Sequence, residues 1–167
     1  MRLAGGAEAL VARVVTTPGV AGYGFSFGTE ATPARDMAAW DALARSRNVP
    51  LYALFDGKKR LEVPIGREEP GSTELIDPFE ALSIEAARVD ALARERFCLV
   101  APHGHPWELA YCAALAASLP GEARIASSGE PAARSIRVSD APGIAIDWSI
   151  EPGFATIAWY DLGMGLR

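Results

Sequence analysis

Residues 75–119 read LIDPFEALSIEAARVDALARERFCLVAPHGHPWELAYCAALAASL, and this stretch decides the fold. It begins within a short apolar run, Glu74–Ile76, and contains a second one, Phe97–Ala101. Each run precedes residues with the spacing of an amphipathic helix. A strand, a helix and a second strand form the repeating unit of a parallel sheet. The stretch therefore predicts two consecutive strand–helix units.

Both helices have recognisable ends. Ser83 can cap the first helix, whose apolar spacing from Ile84 onward predicts an end near residues 94–96, with Val89 and Leu92 among its apolar positions. The second helix is predicted over residues 107–119, before a proline and a glycine.

Each predicted strand ends at a side chain capable of acid–base chemistry. Asp77 follows the first strand and His103 follows the second. Ligands of parallel sheets collect at the carboxyl ends of strands, and a carboxylate beside an imidazole fixes its tautomer and raises its basicity. The two residues are therefore a candidate catalytic pair. The alternative is an ordinary Asp77-Pro78 turn and an ordinary loop histidine.

Composition limits the classes of function. The 167 residues are 50% hydrophobic, enough for one well-buried domain, and the net charge of −5 argues against a nucleic-acid surface. The basic residues 58–60 are better explained as a solvated turn. No apolar run is long enough to cross a bilayer. Cys98 and Cys112 lie in predicted buried elements, so we expect reduced thiols in a cytoplasmic protein with no membrane or nucleic-acid partner.

The chain before this stretch begins with a predicted β-hairpin. Two β-prone runs, residues 10–15 and 20–27, flank the turn at residues 17–19. The second run alternates glycine with aromatic residues, which indicates that another surface or a ligand approaches its backbone closely. A helix opens at Thr32-Pro33, and residues 51–55 can form a last helical turn on the core.

Further short strands complete the pattern. Residues 66–72 form a charged, turn-rich connection before the central stretch. The predicted strands and β-prone runs lie at residues 60–65, 123–127, 135–138, 144–148 and 154–160.

Several segments together resemble the enolase superfamily, in its mandelate racemase and muconate lactonizing branch. They are ARDMAAWDALA at residues 34–44, VPLYALFDG at 49–57 and the strand at 61–65. GVAGYG at residues 19–24 looks like the hairpin of that family's capping domain, and DAPGIAIDW at 140–148 looks like its C-terminal return.

The resemblance implies an α+β capping domain followed by a partial (β/α) barrel of parallel strands, with a β-prone C-terminal segment. The capping domain would comprise residues 1–60, completed by 135–167, and the truncated barrel residues 61–134. The first, sixth, seventh and eighth barrel strands would remain, adjacent in the order six, seven, eight, one. One continuous wedge of the barrel would then be missing.

The resemblance also implies a site. Asp77 and His103 match, position by position, an aspartate–histidine dyad of the mandelate racemase group. Because the family's capping domain lies over the active site, a small-molecule substrate is expected to contact the end of the hairpin. The candidate substrate-binding residues are Tyr23, Phe25, Ser26, Phe27 and His105. The aromatic residues among them are equally explained as core.

The family's magnesium chemistry has no counterpart in the sequence. The strands that carry its acidic magnesium ligands and its lysine base are missing, and its eighth-strand glutamate would fall near Ala126. Glu68 and Glu69 are better explained as solvated charges. We therefore expect no cofactor and no ordinary racemase, because removing a proton next to a carboxylate depends on strong stabilisation of the charge that develops.

Three functions remain open from the sequence. The first is metal-independent acid/base catalysis by Asp77 and His103 on a small carbonyl or carboxylate compound, as an isomerase, lyase or cyclase. The second is a non-catalytic binding or assembly protein that keeps the capping domain. The third is a zinc site of His103, His105 and a carboxylate such as Asp77.

Self-association follows from the missing wedge. A closed barrel has no sheet edges, whereas a wedge has two, and unpaired edges invite a partner. We expect a homodimer in which two wedges complete each other. The alternative is that residues 136–160 fold back over the opening.

Overall fold

The computed structural model describes residues 8–55, 62–66, 74–94, 97–120, 123–127, 134–144 and 146. The predicted hairpin is confirmed. Strand β1 (Leu10–Val15) pairs antiparallel with β2 (Ala21–Ser26), and Leu10 lies opposite Ser26. The turn between them ends at Gly19, whose φ of 88° residues with side chains rarely adopt.

Helix α1 (Ala31–Ser46) packs directly on the glycines of β2. A β-carbon added at Gly22 or Gly24 would lie less than 3.0 Å from backbone atoms of α1. The close approach that the glycine–aromatic alternation indicated is therefore the approach of this helix.

A buried carboxylate joins the hairpin, α1 and the C-terminal segment. Asp41 is 1% exposed. It accepts hydrogen bonds from the backbone N–H of Tyr23 at 2.9 Å, from the backbone N–H of Ile144 at 2.7 Å and from Arg45 Nε at 2.7 Å. A buried charge is tolerated when it is paired in this way. The predicted last helical turn, Leu51–Phe55, is a 3₁₀-helix that lies beside the hydrogen bonds to Asp41.

A five-stranded sheet forms the rest of the fold. Its strands are β3 (Glu62–Gly66), β4 (Glu74–Ile76), β5 (Phe97–Ala101), β6 (Arg124–Ser127) and β7 (Ser135–Arg137). They lie in the order β4, β5, β6, β3, β7, where the first four are parallel and β7 is antiparallel to β3. The parallel sheet is confirmed, with its strands in the order six, seven, eight, one that the resemblance implies. Partial barrel closure and the division into two domains stay predictions.

The C-terminal segment covers one edge of the parallel strands. Ile136 of β7 lies opposite Val63 of β3. Ile144 lies in a turn rather than in a strand. Most of the β-prone run 144–148, and all of 154–160, falls outside the described residues, as do residues 58–60 and 68–69.

Helices α2 (Ile84–Leu92) and α3 (Pro106–Ala117) follow β4 and β5 as predicted. Ser83 caps α2, because its hydroxyl accepts the N–H of Ala86 at 3.1 Å. Helix α3 is buried along most of its length. None of the helices in the described ranges is long and apolar enough to cross a membrane.

The apolar face predicted for α2 is wrong in part, and the helix ends slightly earlier than expected. Its buried residues include Ile84, Ala87 and Ala91, whereas Val89 is 67% and Leu92 is 51% exposed. At about 100° per residue, the stripe that contains the three buried residues leaves positions 89 and 92 outside it.

Substituting Gly24→Ala should destabilise the fold by about 3 kcal/mol, because its β-carbon would collide with the backbone of α1, which cannot rotate away as a side chain can. The change is measured by urea unfolding. Gly28→Ala is the matched control: its β-carbon would meet only ordinary contacts, the nearest at 3.8 Å, so its effect should stay within about 0.5 kcal/mol. Equal effects of the two substitutions would contradict the close packing of α1.

Candidate functional site

The His103 loop, residues 102–105, connects β5 to α3. It turns tightly, because the N–H of Gly104 bonds the carbonyl of Ala101 at 3.1 Å and Gly104 adopts a φ of 62°. A β-carbon at Gly104 would lie 2.8 Å from Oγ of Ser127, at the end of neighbouring β6. Glycine at this position therefore lets the loop place His103 at the carboxyl end of the sheet.

Glu108, in the first turn of α3, is the centre of hydrogen bonding in this loop. Its side chain is 0% exposed. Oε2 accepts the backbone N–H groups of His103 and His105, both at 3.0 Å, and Oε1 lies 2.7 Å from Nδ1 of His103. The N-terminus of α3 adds a field that favours negative charge. Sequence reasoning missed this residue, although a glutamate three positions after a helix cap is the mark of a capping box.

The hydrogen bond to Glu108 bears on which nitrogen of His103 carries the proton. An ionised carboxylate only accepts hydrogen bonds, so Nδ1 is the protonated nitrogen of the neutral ring. Nε2 then keeps its lone pair, and the side chain is 54% exposed, so a solute can reach the ring. An imidazole in this arrangement can accept a proton at Nε2.

The second histidine has a structural role. Nδ1 of His105 accepts the N–H of Trp107 at 3.2 Å and caps α3. The proton of its neutral ring is therefore on Nε2, so the two histidines are held in opposite tautomers. The predicted contact of His105 with a substrate stays a prediction.

The hairpin brings an aromatic ring to both histidines. The ring centroid of Phe27 lies 4.9 Å from that of His103 and 5.7 Å from that of His105. Phe25 is 0% exposed and packs against Trp107, with ring centroids 5.5 Å apart. Phe27 thus belongs to the surroundings of the loop, and Phe25 belongs to the core.

The other two predicted contacts lie nearer the middle and the end of β2. Ser26 is 5% exposed, and its hydroxyl accepts the N–H of Gly28 at 3.2 Å, which stabilises the turn after the strand. Tyr23 lies opposite Arg13 in the hairpin and donates its backbone N–H to Asp41. Binding roles for both stay predictions.

Asp77 follows β4, beside β5, as predicted. Its Oδ1 accepts the N–H of Phe79 at 2.8 Å, and it directly follows Ile76, which lies beside Leu99 of β5. Between the residues that the structure describes, no hydrogen bond joins Asp77 to His103, and the carboxylate bonded to that imidazole belongs to Glu108. The catalytic role of Asp77 and His103 stays a prediction.

The groups behind the loop are acidic and poorly solvated. Burial raises the pKa of Asp77, and the charges of Glu80 and Glu108 act in the same direction, against the N–H of Phe79. Burial also raises the pKa of the Cys112 thiol, and the charges of Glu108 and Asp77 add to that effect. A thiol in such surroundings stays protonated and is a poor nucleophile.

The described residues do not fit a metal ion. Over the ranges that the structure covers, no three His, Cys, Asp or Glu side chains are grouped so that they could hold one. Nδ1 of His105 already accepts the N–H of Trp107, so the Nε2 of its neutral ring carries the proton and has no lone pair for a metal. These residues therefore provide no ligand set for the magnesium that the enolase superfamily uses, nor for zinc.

A cavity of about 180 Å³ lies between the 3₁₀-helix, α3 and β7. Leu51, Tyr52, Ala113 and Arg137 are among its lining residues. None of the predicted site residues lines it, so it is separate from the His103 loop.

Comparison with known proteins gives two similar solved structures. No family model matches the sequence, and no curated protein does. The crystal structure of an isomerase from Streptomyces coelicolor A3(2) is 22% identical, with a TM-score of 0.30, and the match covers 72% of this chain and 45% of that one. A crystal structure assigned as a mandelate racemase/muconate lactonizing enzyme from Aspergillus oryzae is 18% identical, with a TM-score of 0.32, and covers 76% and 55%. The chain spans about half the length of each.

Substituting Asp77→Asn should stabilise the protein slightly at pH 7, by less than about 1 kcal/mol because solvent screens a half-buried group. The pKa of Asp77 is raised in the folded state, so ionisation costs stability above that pKa and costs nothing below the ordinary aspartate pKa of about 3.9. The gain should therefore disappear as the pH falls below about 3.9, as urea unfolding at both pH values would show.

Asp90→Asn serves as the control: its half-exposed carboxylate on α2 pairs with Arg94, and the substitution should change stability by less than about 0.5 kcal/mol at pH 7. If Asp77→Asn instead destabilises the protein at neutral pH, the ionised Asp77 carboxylate stabilises the fold. A structural role would then account for this residue without a catalytic one.

Proposed function

We propose that the chain is a metal-independent acid–base enzyme of isomerase or lyase type. Its substrate is a small carbonyl or carboxylate compound, and His103 is the catalytic base. The observation that carries the proposal is the buried Glu108 carboxylate on Nδ1 of His103, at 2.7 Å, which leaves the lone pair on Nε2 of an exposed ring.

The proposed step is transfer of a proton from a carbon next to the carbonyl group to Nε2 of His103. The electron pair of the broken C–H bond moves into the carbonyl group and forms an enolate. The imidazolium that forms keeps its Nδ1–H bond to Glu108, and the opposite charges attract across 2.7 Å. The proton then returns to another position of the substrate, or a leaving group departs.

A substrate with an already acidic carbon suits this site. In the absence of a cation, the developing oxyanion depends on hydrogen-bond donors for its stabilisation, and this contribution is usually the largest in such reactions. An activated ketone or a β-dicarbonyl compound requires less of that stabilisation than a simple carboxylate does.

Asp77 is the second acid–base group in this proposal. It follows the strand next to β5, and burial raises its pKa, which strengthens its affinity for a proton. Phe27 packs beside the His103 ring and forms an apolar wall for the substrate. Both roles are part of the proposal.

Two features support descent from the mandelate racemase group. Segments before and after the central stretch resemble that branch in sequence, and the parallel strands lie in the order that a shortened barrel of this family requires.

The test is hydrogen–deuterium exchange of substrate protons in D₂O, followed by NMR over a panel of 2-oxo acids, β-dicarbonyl compounds and 2-hydroxy acids. Exchange reports proton abstraction even where no product accumulates. We expect the wild-type chain to accelerate exchange of at least one activated compound, and His103→Asn to reduce that rate by at least about 100-fold.

Free imidazole at the same concentration gives the rate expected from an unorganised base. Wild-type exchange no faster than this background on any compound of the panel would contradict an enzyme of this class, as would equal rates for wild type and His103→Asn.

The second candidate, an assembly protein, is favoured by one observation. Apolar side chains are exposed on and near α2 and on the edge strand β4, namely Leu82 (65%), Val89 (67%), Leu92 (51%) and Leu75 (46%). Within the described strands, β4 is paired on one side only. We propose that a second copy of the chain covers this surface, which a stable dimer would do by burying more than about 1,000 Å² in total.

Light scattering at micromolar concentration should find a dimer, and Val89→Lys should weaken it at least about tenfold, because a charge would be placed within an apolar interface. Val15→Lys, at an apolar residue 36% exposed on the hairpin, should leave the dimer unchanged. A wild-type monomer, or equal effects of the two lysines, would remove this candidate.

A further inference from the structure

We infer that Glu108 is the positioning residue of the site, and that its carboxylate sets the tautomer of His103. The inference rests on the proposed function for its catalytic meaning, because a base at Nε2 exists in the neutral ring only while Nδ1 holds the proton. Its structural content can be tested without a substrate.

The first support is the geometry of the donors. Two of the three hydrogen bonds to Glu108 come from backbone N–H groups, which cannot reverse their polarity, and both go to Oε2. Oε1 is left facing Nδ1 of His103 at 2.7 Å, a distance typical of charge-assisted bonds.

The second support is burial. The Glu108 side chain is 0% exposed, so bulk water cannot replace the three donors. A buried carboxylate is costly unless hydrogen bonds satisfy its oxygens, and here the N-terminus of α3 also favours its charge. The group is therefore held in one position, and it holds the ring with it.

The alternative carboxylate, Asp77, is committed elsewhere. Its Oδ1 accepts the N–H of Phe79 at 2.8 Å, in the turn that follows β4. Removing its charge should leave the hydrogen bond between Glu108 and His103 in place.

Glu108→Gln tests the inference sharply, because glutamine has nearly the same shape but one oxygen and one amide nitrogen. The two fixed backbone donors require the oxygen, so the amide N–H₂ must face Nδ1 of His103. Nδ1 then has to accept, and the proton moves to Nε2. The substitution should keep the loop while inverting the tautomer of the ring.

The experiment is two-dimensional ¹H–¹⁵N NMR of the histidine side chains at about pH 8.5, where imidazoles are ordinarily neutral. Protonated and unprotonated ring nitrogens resonate at well-separated frequencies. The chain has two histidines, and His105 supplies an internal reference, since its Nδ1 accepts a hydrogen bond and its proton lies on Nε2. His103→Asn assigns the signals.

We expect His103 to be protonated at Nδ1 in the wild type and in Asp77→Asn, and at Nε2 in Glu108→Gln. A wild-type His103 that is protonated at Nε2 or averages between tautomers would overturn the inference. So would a tautomer that changes in Asp77→Asn, or one that stays unchanged in Glu108→Gln. If Glu108→Gln does not fold, the wild type and Asp77→Asn still decide between the two carboxylates.

Exchange kinetics separate this inference from the proposed function. On a compound that the wild type exchanges, Glu108→Gln should lower the rate by at least about 100-fold. Exchange that depends on His103 and is indifferent to Glu108→Gln would overturn the positioning role and leave the proposed function standing. A wild type inactive on the whole panel, but with the expected tautomers, would overturn the function and leave the structural inference.

Discussion

The hydrogen bonds to the Glu108 carboxylate are the constraint on which the site depends. Three N–H donors converge on one buried anion, and leaving that charge unpaired would be strongly destabilising. The end of β5, the His103 loop and the first turn of α3 are therefore tied together. Glu108 caps the N-terminus of α3 and also holds the His103 ring. The same carboxylate therefore stabilises the local fold and orients the imidazole.

A second constraint brings the hairpin to that loop. Because Gly22 and Gly24 carry no side chain, α1 lies against one face of β2, and Asp41 joins the two elements to the C-terminal segment. The following residues then place Phe25 in the core and Phe27 beside both histidines. The close packing of α1 on β2 thus determines which aromatic side chain lies beside His103.

The candidate site combines an imidazole that is bonded to a buried carboxylate with, among the described residues, no group of three metal-ligating side chains. In the ranges that the structure describes, Asp77 and His103 follow the neighbouring strands β4 and β5, no hydrogen bond joins them, and the buried thiol of Cys112 lies within α3. An enzyme built on this site gains its rate from the position and protonation of one ring more than from charge neutralisation. Such an enzyme would be restricted to substrates whose C–H group is already acidic.

The sequence by itself determined the local elements: the hairpin, the three main helices, the parallel strands and the placement of Asp77 and His103 at strand ends. These features depend on periodicity and on turn residues that act within a few positions. The order of the strands followed only from the resemblance to a family. Tertiary structure alone decided that the carboxylate at His103 comes from Glu108, and that Val89 and Leu92 face outward. The reason is that the partner of His103 and the exposure of Val89 and Leu92 both depend on how one element packs against its neighbours. The periodicity of a single element carries no information about that packing.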